Sequence, residues 1–328
     1  MRGGSVFLAM LAGAMLAACV SVDVKLRTRP SEPLEEFTLQ GKGEDRVALV
    51  TLRGFLRTGP DEGFPGPEPS PVQEVVSRLD LAAEDSRVKA LILQIDSPGG
   101  TVTASDILYE EIRRFKERTG AVVVCLLVDL ATSGGYYAAL AGDRVVAHPT
   151  TVTGSIGVIF LRPDVEGLMD KVGVRVEAVK SGLYKDMGSP FRGSTDEERR
   201  LVRGIVEEMQ KRFAGLVKAR RGLEGEALER VARGQVMTAP EALEAGLVDR
   251  LGYFRDALEE ARKPARLPED VRVVVYRRER YHNDHPYNLM AGTAPDGDRG
   301  LGGLKGMLPF MPVRPGLYYL WMPAALED

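Results

Sequence analysis

The chain has 328 residues, 44% of them apolar and 28% charged, and a formal net charge of -3. That apolar share can bury a full core, which excludes a chain disordered throughout. Acidic and basic residues are mixed along its length, so there is no broad electropositive footprint for nucleic acid, and no nucleic-acid partner is expected.

Arg2 gives a positive start, and Ser5 to Ala18 is an apolar stretch too short to span a bilayer comfortably. It ends in Leu16-Ala17-Ala18-Cys19, which resembles the lipobox of bacterial lipoproteins. Residues 1–19 are therefore read as a lipoprotein-type signal peptide, with Cys19 lipidated as the mature N-terminus and membrane lipid as a partner. An ordinary signal peptide or a short anchor is the alternative. Each of these places the body of the protein outside the cytoplasm, and the lipoprotein reading anchors it in a bacterial cell envelope. With Cys19 acylated, Cys125 has no partner for a disulfide, and its apolar run Ala121 to Val128 marks it as a small buried hydrophobe. Residues 20–44 are polar and proline-bearing, without helical or strand period, and read as a tether.

The body, residues 45–278, opens on a strand-like run, Val47 to Leu52. Ser70-Pro71-Val72-Gln73 follows with a capping pattern and proline at the first helical position, and Val72, Val75, Val76 and Leu79 recur at helical spacing. Val88 to Ile95 reads as a buried strand. A glycine turn comes next, then a helix with Ala104, Ile107, Leu108, Ile112 and Phe115 on one face and Gly120 past its end. Ala121 to Val128 is a second buried strand, Gly134 to Ala141 a helix, and Val174 to Val179 a further strand. A long helix opens at Ser194-Thr195-Asp196-Glu197 and carries Leu201, Ile205, Met209 and Phe213; a shorter one runs from Thr238 to Gly246. Continuous apolar strands alternating with amphipathic helices predict an α/β fold with a parallel sheet covered on its faces. Residues 279–328 form an irregular, Gly/Pro-rich extension, yet hold Phe310, Tyr318, Tyr319 and Trp321, and are expected to dock on the body or on a neighbouring subunit.

Three glycine-bearing turns fall at or near strand ends: Asp96 to Gly100, Thr132 to Gly135 and Thr153 to Gly157. In α/β sheets, ligands sit beyond the carboxyl ends of the strands, and glycine lets backbone N–H groups approach a reacting atom. The alternative is that all three are only tight turns. A serine hydroxyl in such a turn needs a base. Histidine is scarce: His282 and His285 fall in the tail and His148 in a strand-to-turn stretch, which disfavours a Ser-His-Asp triad. A lysine is the remaining choice, and burial is what favours a neutral amine. Lys185 lies in the turn-rich segment Ser181 to Phe191, with Lys180 as a nearby competitor.

Ser97-Pro98-Gly99-Gly100, Ser133-Gly134-Gly135-Tyr136-Tyr137, Gly154-Ser155-Ile156-Gly157, Tyr184-Lys185-Asp186 through Ser189-Pro190-Phe191, and Gly246-Leu247-Val248-Asp249 near Leu251-Gly252 closely resemble the short bacterial form of signal peptide peptidase A, in order from about residue 45 to 262. The resemblance implies a ClpP/crotonase-like fold and a serine endopeptidase with a Ser-Lys dyad working through an acyl-enzyme. Ser133 would be the nucleophile, Lys185 the base and Ser155 a hydroxyl orienting the lysine. Gly134 and the Gly99-Gly100 turn would donate to the oxyanion. It implies substrates that are extended apolar peptides such as cleaved signal peptides, a homo-oligomer with a groove shared between neighbouring subunits, and neither cofactor nor metal. The lipobox and the tail depart from the family pattern. Two rivals remain: an acyl-CoA enzyme of the crotonase type, disfavoured by the secretion signal, and a catalytically silent envelope scaffold.

Overall fold

Period-two alternation along strands apolar on both sides dictates a sheet buried on two faces. Leu91, Leu93, Ile95, Val123, Cys125 and Leu127 point into one core cluster, while Ala90, Ile92, Val124 and Leu126 point into another on the opposite face. A computed structural model describes residues 32–60, 69–289 and 316–321, so Cys19 and its proposed lipid lie outside the described residues.

In chain order the elements begin with β1 (Glu35–Gln40), β2 (Arg46–Arg53), α1 (Pro71–Glu84), β3 (Val88–Ser97), β4 (Gly99–Thr101), α2 (Val102–Thr119), β5 (Val122–Thr132) and α3 (Gly134–Ala139). β6 (Arg144–Ala147), β7 (Val152–Gly154), β8 (Ile159–Leu161), α4 (Glu166–Val172) and α5 (Asp196–Arg221) follow. The last are α6 (Gly225–Val231), β9 (Val236–Thr238), α7 (Ala239–Glu244), β10 (Arg250–Leu251), α8 (Phe254–Arg262), β11 (Arg272–Arg277) and β12 (Gly316–Leu320). The main sheet runs β1-β11-β2-β3-β5-β6-β10, with β7 and β9 continuing from the end of β5; only the β1/β11 and β7/β9 pairs are antiparallel. Helices α1 and α2 cover one face, and α8 covers the other through Phe254, Ala257 and Ala261. This is the α/β architecture expected from the sequence.

Local signals placed most of these elements. Ser70 Oγ accepts from Gln73 N at 3.1 Å at the start of α1, although Gln73 turns its amide to Ser77 rather than completing a capping box. Gly120 closes α2 in the left-handed region, and a reciprocal capping box between Thr195 and Glu198 opens α5. Cys125 is free and fully buried, and burial pushes its thiol up to about 12.

Three expectations change. The second half of the tether is sheet: β1 pairs antiparallel with β11, with Phe37 and Leu39 packed on the second core, an alternation too short to register against its polar neighbours. Val174 to Val179 is not a strand. Its valines find no partner strand among the described residues, and Val179 is 97% exposed. The extension after residue 279 is not irregular throughout, because β12 pairs antiparallel with both β4 and β8.

Candidate functional site

β3, β5 and β7 are parallel neighbours, so the three glycine turns at their carboxyl ends meet. Ser133 N–H donates to the Gly154 carbonyl at 2.8 Å, joining the second turn to the third. Ser133 is held at φ 52, outside the regions a side chain favours, at a cost of order 1–3 kcal/mol. Its hydroxyl oxygen is buried and has no hydrogen-bond partner among the described residues. The turn tolerates no larger neighbour: a Cβ on Gly134 would lie 2.2 Å from Ser105 Oγ. Gly99, at φ +97, donates its N–H to Ser97 Oγ at 3.1 Å. Gly100 packs so tightly on the Leu56 backbone that a Cβ there would be 2.0 Å from the Leu56 carbonyl oxygen. Gly99, Gly100 and Gly134 therefore share one small space beside Ser133. Ser155, also buried and at positive φ, sits on the third turn with its N–H donating to Gln235 O at 2.8 Å.

Lys185 is placed differently. It is exposed, and no hydrogen bond links it to Ser133 or Ser155. Its segment is braced from below: the Arg192 guanidinium binds Asp186 and Glu198, and Lys180 Nζ pairs with Asp186 Oδ1 at 2.6 Å. The Arg192 guanidinium and the Thr195 N–H hold the Glu198 carboxyl down to about 2. A depressed carboxyl stabilises the fold above its ordinary value near 4.3 and loses that contribution as pH falls toward 2. Thermal melts between pH 5 and pH 2.5 are accordingly expected to show a steeper loss of Tm in the parent than in Glu198→Gln, which is less stable at pH 5 but flatter; parallel curves would remove this bridge from the ledger. Two of the histidines have side-chain partners outside these turns: His148 Nδ1 meets Thr150 Oγ1 at 2.8 Å and its ring edges onto Tyr253, while His285 belongs to a local turn with Tyr287.

The space next to Ser133 is filled by β12. Tyr318, Tyr319 and Leu320 register with Thr101, Gly100 and Gly99, and Trp321 N–H donates to Pro98 O at 3.1 Å. On its other edge β12 pairs with β8. The Tyr319 carbonyl oxygen points at the glycines: a Cβ on Gly134 would be 3.1 Å from it, and one on Gly99 only 2.1 Å. The sequence led to a tail docked on the body or on a neighbouring subunit and named Tyr319 only as one of its aromatics; aromatic density in a Gly/Pro-rich stretch was its signal, and none pointed to the Leu56 backbone that props β4.

Residues 116–268 match peptidase family S49, a span that includes Ser133, Ser155 and Lys185. The chain is 30% identical over 249 residues to an Enterococcus faecium protein described as a signal peptide peptidase SppA, covering 76% of this chain and 72% of that one. It is 36% identical over 225 residues to a described protease of Synechocystis sp., covering 69% and 76% respectively. Among solved structures, a ClpP1 mutant from Listeria monocytogenes aligns with 16% identity and a TM-score of 0.42 over 64% of this chain and 94% of that chain. The class is thus that of a serine peptidase on an α/β scaffold. The chain belongs to peptidase family S49.

Proposed function

We propose that the protein is an envelope-anchored endopeptidase that degrades extended apolar peptides, cleaved signal peptides among them, with Ser133 as nucleophile and Lys185 as base. The observation that carries this reading is the meeting of three glycine turns around a buried, strained serine whose hydroxyl has no partner among the described residues. A peptide taking the place of β12 antiparallel along β4 presents its carbonyl to the N–H groups of Gly134 and the Gly99-Gly100 turn, as strand addition allows. Ser133 Oγ attacks the carbonyl carbon and its proton passes to the Lys185 amine. The oxyanion collapses, the C–N bond breaks, and the lysine returns the proton to the leaving amine. Water then attacks the acyl ester, giving its proton to the same lysine, and frees the carboxylate and Ser133. Ser155 is assigned to orient the lysine. No cofactor or metal enters these steps.

Lys185 is exposed within a single chain, amid uncovered Val174, Val176, Val179 and Leu183. The reading therefore places Lys185 against Ser133 of a neighbouring copy in a homo-oligomer, where burial would favour a neutral amine. Cleavage-site mapping on a peptide library, with Ser133→Ala as control, tests the activity: cuts within extended apolar stretches, absent in the control, support it, and cuts that survive the substitution overturn it.

For anchoring, no helix among the described residues is long and apolar enough to cross a membrane. The attachment is assigned to acylated Cys19. Mass spectrometry of the mature protein is expected to find a diacylated or triacylated Cys19 at the N-terminus, and Cys19→Ser is expected to accumulate unlipidated precursor. A mature chain beginning at any other residue contradicts this assignment.

A further inference from the structure

The helix that follows Ser133 is too short to hold itself in place. α3 has six residues, and an isolated helix of that length is not stable in water. A strained φ such as that of Ser133 persists only where its surroundings over-determine it. The carbonyls just past the end of α3 all meet side chains. Arg220 Nε donates to Leu140 O at 2.8 Å and its Nη2 to Gly142 O at 2.9 Å, and Lys116 Nζ donates to Ala141 O at 3.0 Å. The middle of α3 is fastened by Tyr136, which is fully buried and whose hydroxyl donates to Leu247 O at 2.6 Å. Leu247 belongs to Gly246-Leu247-Val248-Asp249, the sequence motif that lies outside the glycine turns. Arg221 Nε donates to Gly246 O at 2.7 Å and its Nη1 to the Asp249 carboxylate at 3.0 Å. That carboxylate also takes the Val145 N–H at 2.7 Å, which ties the turn to β6. Consecutive arginines at the end of α5 thus hold two parts of one assembly: Arg220 the helix after Ser133, Arg221 the turn on which Tyr136 is fixed.

We infer that Tyr136 and Arg220 are positioning residues for Ser133, clamping α3 against the Gly246–Asp249 turn so that the hydroxyl keeps its place beside the glycine turns. This role rests on the reading of Ser133 as nucleophile. The six residues of α3 rise about 9 Å, so a tilt or slide at the far end is carried to Ser133 almost undiminished. Misplacing a reacting group by about 1 Å costs up to the order of 100-fold in rate. Arg220 is exposed, so water screens its charge and its contribution is geometric. A planar guanidinium reaches two carbonyls at once, and an ammonium does not reproduce that fork. Tyr136 contributes through one oxygen, since its ring belongs to the core with or without the hydroxyl.

Tyr136→Phe, Arg220→Gln and Arg220→Lys in the full chain test the clamp, each assayed well below its own Tm so that only folded protein is compared. Three quantities are read: kcat and KM on an apolar peptide, the pH at half-maximal rate, and amide hydrogen exchange at Ser133. That N–H is bonded to Gly154 O, so its exchange relative to core amides of β3 reports local loosening apart from global unfolding. Tyr136→Phe and Arg220→Gln are each expected to lose about tenfold in kcat with KM nearly unchanged. Ser133 exchange should quicken in step, and the pH at half-maximal rate should stay put, since neither residue is the base. Arg220→Lys should recover only part of the loss. A fall in Tm with kcat and Ser133 exchange as in the parent overturns the inference. Should Tyr136→Phe fail to fold, the exposed Arg220 decides alone. Ser133-dependent hydrolysis at the parental rate in every folded variant rejects the clamp while leaving the peptidase reading intact. Quickened Ser133 exchange in a protein whose hydrolysis survives Ser133→Ala rejects the peptidase reading and, with it, the positioning role.

Discussion

Mixing two inactive proteins is expected to restore activity. Ser133→Ala retains Lys185 and Lys185→Ala retains Ser133; if the base reaches the nucleophile across an interface, copies exchanged between the two recreate complete sites. Random exchange at one to one, with each site drawing serine and lysine from different copies, gives about a quarter of the parent's sites. The physical basis is the separation within one chain: Ser133 Oγ is buried without a partner among the described residues, while Lys185 is exposed on a braced segment that carries uncovered valines. Activity assays after denaturation and co-refolding, compared with each variant refolded alone, check it. A mixture no more active than its components would mean that serine and lysine meet within one chain, by a movement of the 174–191 segment, or do not act together.

The second large effect concerns the chemistry of the base. Ser133→Ala, Lys185→Ala and the double variant are expected to fall to a similar floor, on the order of 10^4 to 10^6 below the parent in kcat/KM, because members of one catalytic unit are not additive. Lys185→Arg should join them despite keeping the charge, since a guanidinium does not give up its proton at working pH. Replacing His148, His282 and His285 together should leave turnover near that of the parent; the rings of His148 and His285 meet Thr150, Tyr253 and Tyr287, none of them in the turns around Ser133. Near-normal turnover by Lys185→Arg, or loss of turnover in a folded histidine-free protein, would name a different base.

Local rules carried much of the fold because each signal was short-range. A Ser70 or Thr195 cap, a left-handed Gly120 and period-two runs such as Val88 to Ile95 are properties of a few adjacent residues, and the structure realises them where they stand. The glycine turns were legible for the same reason, and their convergence followed from parallel strands sharing one carboxyl edge. What depended on distant partners was not legible. β1 is sheet only because β11, more than two hundred residues later, lies beside it, and β12 is a strand only because β4 and β8 leave a gap of one strand's width. Val174 to Val179 shows the converse: an apolar alternation suited to a strand pairs with no strand among the described residues. The relation of Lys185 to Ser133 belongs to this second kind, since sequence spacing says nothing of whether two residues meet inside one copy or between two.

The most direct test of the central claim is covalent labelling by a fluorophosphonate, which reacts with activated serine hydroxyls, followed by peptide mapping. The account predicts a single stoichiometric adduct on Ser133, lost in Ser133→Ala and strongly slowed in Lys185→Arg, with peptide hydrolysis falling in step with labelling. An adduct on any other serine, or an active protein in which Ser133 stays unlabelled, would contradict it.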